Sequence, residues 1–534
     1  MITKHPTGAI PDILPQASSP GPANPANSGQ KAPIGAWTSP IGPAYTHNMP
    51  ADESGSTNRF RTSRRTFLAT SAAAAAAGAT GITAAPANAA AANNATSDWP
   101  SGPGYPITPQ PPDRQLRQIL SQLDEKRLYA TVNGLTTFGT RHTLSSQTDP
   151  QRGIGAARDW LLARFQEAAA TSGGRMTVAA QSFIQPVASR IPVPTPITNI
   201  VATLHGSATP DRIYVVSGHY DSRVTDVMNF TSDAPGADDD ASGVAAVLEM
   251  ARVMATATPK ATIVFAAVAG EEQGLYGAAF MAAQYRAAGA DVQGMFTNDI
   301  VGSATADDGT RDPHAIRLFS EGVPTTETPT QTAVRQAVGS EADSPSRQLA
   351  RFAGNVASND ATGMTVHVIY RRDRYQRGGD HIPFLQQGYP AARFTEPHEN
   401  FAHQHQDTRL VDGVQYGDLI EFCEFDYILR VTKVNAAIMW SLANAPGTPS
   451  NALLLDSQLS NSTQLTWDRG TEPDLAGYEI VWRGCTQPDW THVVPVGNVT
   501  TATVPLAKDN VFFGIRAVDR DGHRSPVAFP TPSP

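Results

Sequence analysis

The sequence predicts an α/β protein, with a central mixed, largely parallel sheet flanked by helices, followed by a small all-β immunoglobulin-like sandwich. Three observations carry this expectation. Between residues 112 and 445, stretches with helical apolar spacing alternate with short apolar strands. After Ala445-Pro446-Gly447-Thr448-Pro449 punctuates the chain, only short strand-like runs remain. Loops rich in His, Asp and Glu follow several of the predicted strands, where an open α/β sheet places its site.

Composition removes several function classes. Lys and Arg number 40 against 49 Asp and Glu, a formal charge of −9, so no basic stripe for nucleic acid is expected. Two cysteines exclude a disulfide scaffold or a zinc-finger array. They are Cys423 and Cys485, in different predicted domains, and spacing alone does not decide whether they pair.

The elements follow in order. Ten of the first fifty residues are proline, and residues 1–58 lack any apolar period, so they read as a disordered extension. Met49 offers a later start that would leave an ordinary short leader. Residues 59–89 contain Arg64-Arg65, an alanine-rich run to Ile82, and Ala87-Asn88-Ala89. Paired arginines, a modest apolar stretch and a small-x-small end make a twin-arginine export signal, which places the mature protein outside the cytoplasm. The run is too short and too weakly apolar to cross about 30 Å of hydrocarbon, so no stable membrane anchor is expected.

Residues 90–111 are a polar, proline-rich linker. Arg117 to Leu128 predicts a helix, as does Ala156 to Phe165. Strands are expected at 200–204, 213–216 and 261–265, with a helix at 244–254 and a last helix at 419–442. Residues 446–534 are a linker and then strands around a buried tryptophan.

The chemistry sits at the strand ends. His219-Tyr220-Asp221 follows one strand, Asp238-Asp239-Asp240 precedes a helix, Glu271-Glu272 follows Ile263–Val268, and Asp299 follows Met295–Asn298. His403-Gln404-His405-Gln406-Asp407-Thr408 lies in a loop before the last helix. Imidazole and carboxylate without thiolate suit a catalytic zinc site. One shared carboxylate can hold two ions about 3.5–4 Å apart. Adjacent Glu271 and Glu272 offer one carboxylate to a metal and one to proton transfer. Against this stands a plain alternative, since aspartates before Ala241 also suit helix capping, Asp240 above all.

These strings, in this order, resemble the secreted bacterial co-catalytic di-zinc aminopeptidases over roughly residues 112–440: Gly218 to Ser222, Gly236 to Gly243, Gly270 to Leu275, Asp299, Asp380-His381 and His403-x-x-x-Asp407-Thr408. The resemblance implies two zinc ions, with His219 and Asp299 on one, Glu272 and His403 on the other, and Asp239 bridging. It implies Glu271 as general base, and Asp221 as the residue that holds the His219 imidazole. Asp407 is placed in support of the site, and Asp380-His381 under its floor. His405 and His398 compete with His403, and the spacing to Asp407-Thr408 favours His403. The family usually has a cis peptide after the bridging aspartate, here Asp239-Asp240. Where some members carry a tyrosine before the final histidine to stabilise the oxyanion, this chain has Ala402; Tyr370 and Tyr375 are substitutes. The C-terminal strands resemble a fibronectin type III module, a candidate for contact with a surface or a polysaccharide.

The function expected is therefore a secreted zinc metallo-exopeptidase, an aminopeptidase acting on peptide or protein amino termini. The alternative is a carboxypeptidase or other amidohydrolase on the same di-zinc scaffold, because the motifs specify metals and water rather than the amine pocket.

Overall fold

The computed structural model describes residues 99–457 and 459–533. The extension and the export signal, 1–58 and 59–89, lie outside the described residues.

An eight-stranded mixed sheet organises the α/β part. Its order is Met176–Gln185, Thr195–Leu204, Ala261–Val268, Thr209–His219, Asp291–Asn298, Ala391–Thr395, Ala315–Ser320 and Thr365–Ile369. The four strands from Ala261–Val268 to Ala391–Thr395 run parallel. The flanking pairings are antiparallel until the last, which is parallel again. Ala261–Val268 is buried along its whole length, as a run rich in Val, Ile and Phe covered by helices on both faces should be. The parallel strands end together, so His219, Glu271, Asp299 and Glu396 emerge at or just beyond their carboxyl ends.

Helix Gly243–Met254 packs across the sheet with every residue but Arg252 buried. Its start comes so close to the central strand that a Cβ on Gly218 would lie 2.6 Å from the Gly243 carbonyl carbon. Glycine at both positions permits this approach. The expected helix over 117–128 is two helices, Arg114–Ser121 and Glu125–Thr136. Asp113 and Asp124 each accept a backbone N–H as caps, and Asp124 thereby breaks the run. The last helix begins at Phe425 rather than 419, after a short turn at Ile420–Phe422.

The C-terminal part is all β, two four-stranded sheets enclosing Trp467, Trp482, Ile480, Phe513 and Ile515. It is not a separate bead. Residues 92–534 form one compact unit. The expected linker 90–111 supplies an edge strand to this sandwich, with Tyr105–Pro106 pairing to His492–Val493 and Trp482 Nε1 donating to the Pro103 carbonyl at 2.8 Å. Proline-rich chain pairs readily at a sheet edge, where its missing N–H costs nothing. Between the two parts, Asp343 accepts from Arg351 at 2.8 Å and from Arg483 at 2.7 Å, all three buried. Arg212 similarly pairs with Glu472 at 2.7 Å. Cys423 and Cys485 are both free thiols. Among the described residues, no helix is long and apolar enough to cross a membrane.

Candidate metal centre

Two donor triads meet at Asp239. His219 Nε2 lies 3.0 Å from Asp239 Oδ1 and 3.9 Å from Asp299 Oδ1. On the other side, His405 Nε2 lies 2.9 Å from Asp239 Oδ2 and 3.0 Å from Glu272 Oε1. Within each triad the donor atoms are all within 4.8 Å of one another. Glu272 Oε1 is buried, and it faces the His405 imidazole at 3.0 Å rather than solvent. The carboxylates also draw positive charge strongly. Burial opposes it, but Glu272 and Asp239 lift the His405 imidazole to about 10. Nitrogen and carboxylate oxygen in two adjoining triads fit two zinc ions sharing one carboxylate.

Each side chain is positioned by local structure. Thr209–His219 ends at His219, whose backbone N–H donates to Asp240 Oδ2 at 2.9 Å. Asp240 Oδ1 accepts the Gly243 N–H at 3.0 Å, so Asp240 caps the helix as its residue type suggests. The Asp239-Asp240 peptide is cis. Glu271 and Glu272 open a four-residue helix at the end of Ala261–Val268. Asp221 ties this turn to the histidine strand. Its carboxylate accepts the N–H of Glu271 and of Glu272, both at 3.2 Å, and the Thr143 hydroxyl at 3.0 Å. His219 Nδ1 faces the Asp221 backbone carbonyl at 3.1 Å, with the carboxylate farther off at 3.7 Å. Asp221 therefore orients the imidazole chiefly through its backbone, and its side chain braces the glutamate turn.

A profile of Peptidase family M28 matches residues 199–416. A probable zinc metalloprotease of Leptosphaeria maculans is 52% identical over 421 residues, covering 79% of this chain and 98% of the relative. The chain belongs to peptidase family M28. A second relative in Pyricularia oryzae, also a probable zinc metalloprotease, is 54% identical over 429 residues, 79% of this chain and 86% of its own. These relatives are fungal, where the motifs had suggested the bacterial branch. Among solved structures, the Legionella pneumophila LapA aminopeptidase is 17% identical with a TM-score of 0.43, covering 62% of this chain and 75% of that one. Likeness at that distance says nothing of substrate.

Within this M28 site the structure corrects the assignment of the last histidine. His403 does not reach the centre. Its ring stacks on Phe422, with centroids 3.5 Å apart and planes 8° off parallel. His405 takes its place, turned inward by a positive φ of 50°. Asp407 does not support an imidazole through its carboxylate; its backbone N–H donates to Thr225 Oγ1 at 3.1 Å. Tyr375 is 75% exposed, and Tyr370 donates to the Pro488 carbonyl at 2.8 Å, so neither faces the cleft as an oxyanion donor. Asp380 is buried with both carboxyl oxygens unpartnered, and burial pushes it up to about 7. His381 Nε2 faces the Arg372 carbonyl at 2.8 Å and lies 3.6 Å from the Asp373 carboxylate.

Three further residues of the M28 site escaped the motif reading. Asp418 accepts the N–H of Asp238 at 2.7 Å and of Asp239 at 2.8 Å, fixing the shared carboxylate from below. Buried Arg141 donates to the Tyr220 carbonyl at 2.7 Å and the Gly236 carbonyl at 2.8 Å, stapling two loops of the site together. Fully buried Arg393, in Ala391–Thr395, pairs with Asp299. An arginine or aspartate beyond the known strings carries no distinguishing spacing; only an arginine inside the apolar run Ala391-Ala392-Arg393-Phe394 was a visible oddity.

Proposed function

We propose that this chain is a secreted zinc aminopeptidase that removes single residues from the amino termini of peptides. The observation that carries the reading is the meeting of two donor triads at Asp239 with Glu271 in the same cleft. His219 and Asp299 would hold one ion, Glu272 and His405 the other, and Asp239 both. Bound zinc supplies Lewis acidity toward the scissile carbonyl and makes water more acidic. Glu271 is the general base, its carboxylate taking a proton from the attacking water and handing it to the departing amine. With no metal bound, burial and the nearby charges of Asp299 and Glu272 raise Glu271 above the usual carboxylate range. Asp221 keeps the backbone of Glu271 and Glu272 fixed relative to His219, so base and metal donors stay in register.

Export by the twin-arginine route is part of the same proposal, read from residues 59–89. The likeness of the C-terminal sandwich to fibronectin type III rests on its strand pattern. The test is hydrolysis of a leucyl anilide beside its N-acetylated counterpart by residues 90–534. Cleavage of the free-amine substrate alone is expected, and cleavage of the blocked one alone would sink the reading. A carboxypeptidase is the second reading, and one observation favours it: guanidinium groups line the cleft, and an α-carboxylate is a natural partner for them.

A further inference from the structure

The cleft over the donor triads, about 380 Å³, is lined by four arginines: Arg190, Arg223, Arg374 and Arg377. Arg190 and Arg223 have no carboxylate within 4 Å among the described residues. Arg190 Nη1 donates to the Glu272 carbonyl at 2.9 Å, and Arg223 donates to the carbonyls of Val224 at 3.1 Å and Thr225 at 3.0 Å. Backbone carbonyls orient a guanidinium without neutralising it. Arg374 and Arg377 share Glu399, whose Oε2 lies 3.2 Å from Arg374 Nη1 and 2.8 Å from Arg377 Nη1. The same carboxylate also serves Arg317 at 2.8 Å, so one negative charge answers three guanidiniums. Asp373, the other acid on Arg374 at 3.3 Å, is itself 3.5 Å from Arg393. Burial, with the charges of Arg393 and Arg377, pulls the Arg374 guanidinium below its ordinary value.

The acids of the cleft, Asp239, Glu271, Glu272 and Asp299, belong to the metal and proton chemistry. Two divalent ions would cancel their charge, and the arginines would then dominate the field that a substrate meets. Arg377 donates through Nη1 alone, which leaves the rest of its fork for a ligand at the cleft wall. A planar fork of this kind matches a carboxylate in two-pronged geometry.

From this surplus of held but unneutralised guanidiniums, we infer that the site selects substrates carrying a carboxylate next to the scissile bond, either the acidic side chain of the terminal residue or the free α-carboxylate of a very short peptide. The inference rests on the exopeptidase reading above and names its substrate class.

The experiment uses the zinc-loaded enzyme and two matched pairs: glutamyl against glutaminyl anilide, and Leu-Gly against Leu-Gly amide. A charge-assisted bidentate contact predicts that the carboxylate member of one pair is favoured by about 10- to 100-fold in kcat/KM, carried mainly on KM and weakened by salt. The pair that shows the preference names the source of the carboxylate. Arg377→Met combined with Arg223→Met should collapse that ratio toward one, with partial return in Arg377→Lys. Calorimetric binding of glutamate against glutamine, and of acetate against acetamide, to the wild type and to the double arginine variant separates the arginines from direct carboxylate binding to zinc. Ratios near one in both pairs, with no preferential binding of the anions, overturn the inference. If the leucyl anilide is still cleaved, the aminopeptidase reading survives that failure. If blocked substrates alone are cleaved while anion binding persists, the aminopeptidase reading fails and the arginine inference stands.

Discussion

Arg393 Nη2 lies 2.6 Å from Asp299 Oδ1, with both side chains buried at the end of the central parallel strands. Burial works against the Asp299 charge, yet the Arg393 guanidinium and the His219 contact hold its carboxyl down at about 2. Arg393 therefore presets both the charge and the orientation of a donor in the first triad. Removing it would leave Asp299 and Asp373 buried without their shared cation. Arg393→Met should cost about 3–5 kcal/mol of stability, the range for breaking a buried ion pair from one side. Urea unfolding of the metal-free protein measures this. A loss below about 1 kcal/mol would mean that solvent or a rearranged neighbour already compensates these acids, contrary to their burial.

The two histidines of the last loop give a direct contrast. His405→Ala removes the imidazole that approaches both Asp239 and Glu272, so one zinc should be lost and activity should fall by at least about 100-fold. His403→Ala removes only a ring stacked on Phe422, and should keep both ions. Metal content by elemental analysis, set beside turnover, decides between them. The reverse pattern would restore His403 as the donor.

Glu271→Gln keeps the shape of the side chain and removes its basicity. Metal content should be unchanged while kcat falls by about 100- to 10,000-fold, the usual contribution of a general acid–base residue. Near-normal turnover would take the base role from Glu271. Chelation should abolish activity of the wild type, and added zinc should return it; activity that persists in verified metal-free protein would overturn the mechanism.

Much of this was legible because the chemistry follows the strand ends. Ala261–Val268 announces itself as a doubly covered strand, and Glu271 and Glu272 follow it at a fixed offset. His219, Asp239 and Asp299 come from the same logic, and Asp240 behaves as the cap its residue type implies. The choice of His405 over His403 was not legible, because it depends on a residue outside the motif. Phe422, almost twenty positions later, captures the His403 ring, and the loop turns at His405 with φ of 50°. Asp418, Arg141 and Arg393 act across long sequence separations, on backbone groups or on donors that no local spacing marks. The place of Tyr105–Pro106, in the linker, in the C-terminal sheet was hidden for the same reason, since its partner strand lies nearly four hundred residues away.

His523 provides the last test, at the junction of the two parts of the compact unit. Its Nε2 lies 3.2 Å from Asp113 Oδ2 and its Nδ1 3.0 Å from Asp519 Oδ2. Asp113 also caps the first helix of the α/β part and accepts from Trp440 Nε1 at 2.9 Å, so the clasp ties three elements together. The hydrogen bonds to Asp113 and Asp519 push the imidazole up to about 9 from 6.5. Burial opposes ionisation of the two acids, and the His523 contact holds both at about 2. A folded value above the unfolded one means that the imidazole's contribution is complete below pH 6.5 and is lost as pH rises through about 9. On the acid side, the aspartates lose theirs as pH falls from 3.8 toward about 2. Stability from this clasp should therefore be flat between those limits and decline on either side. With allowance for its contact with solvent, the His523 contribution at pH 6 is about 1–2 kcal/mol. Melting curves of the wild type and His523→Gln across pH 5 to 10, with the range chosen to bracket about 9, should converge at the alkaline end. Curves that stay parallel across that window would show that the histidine is not the group being titrated.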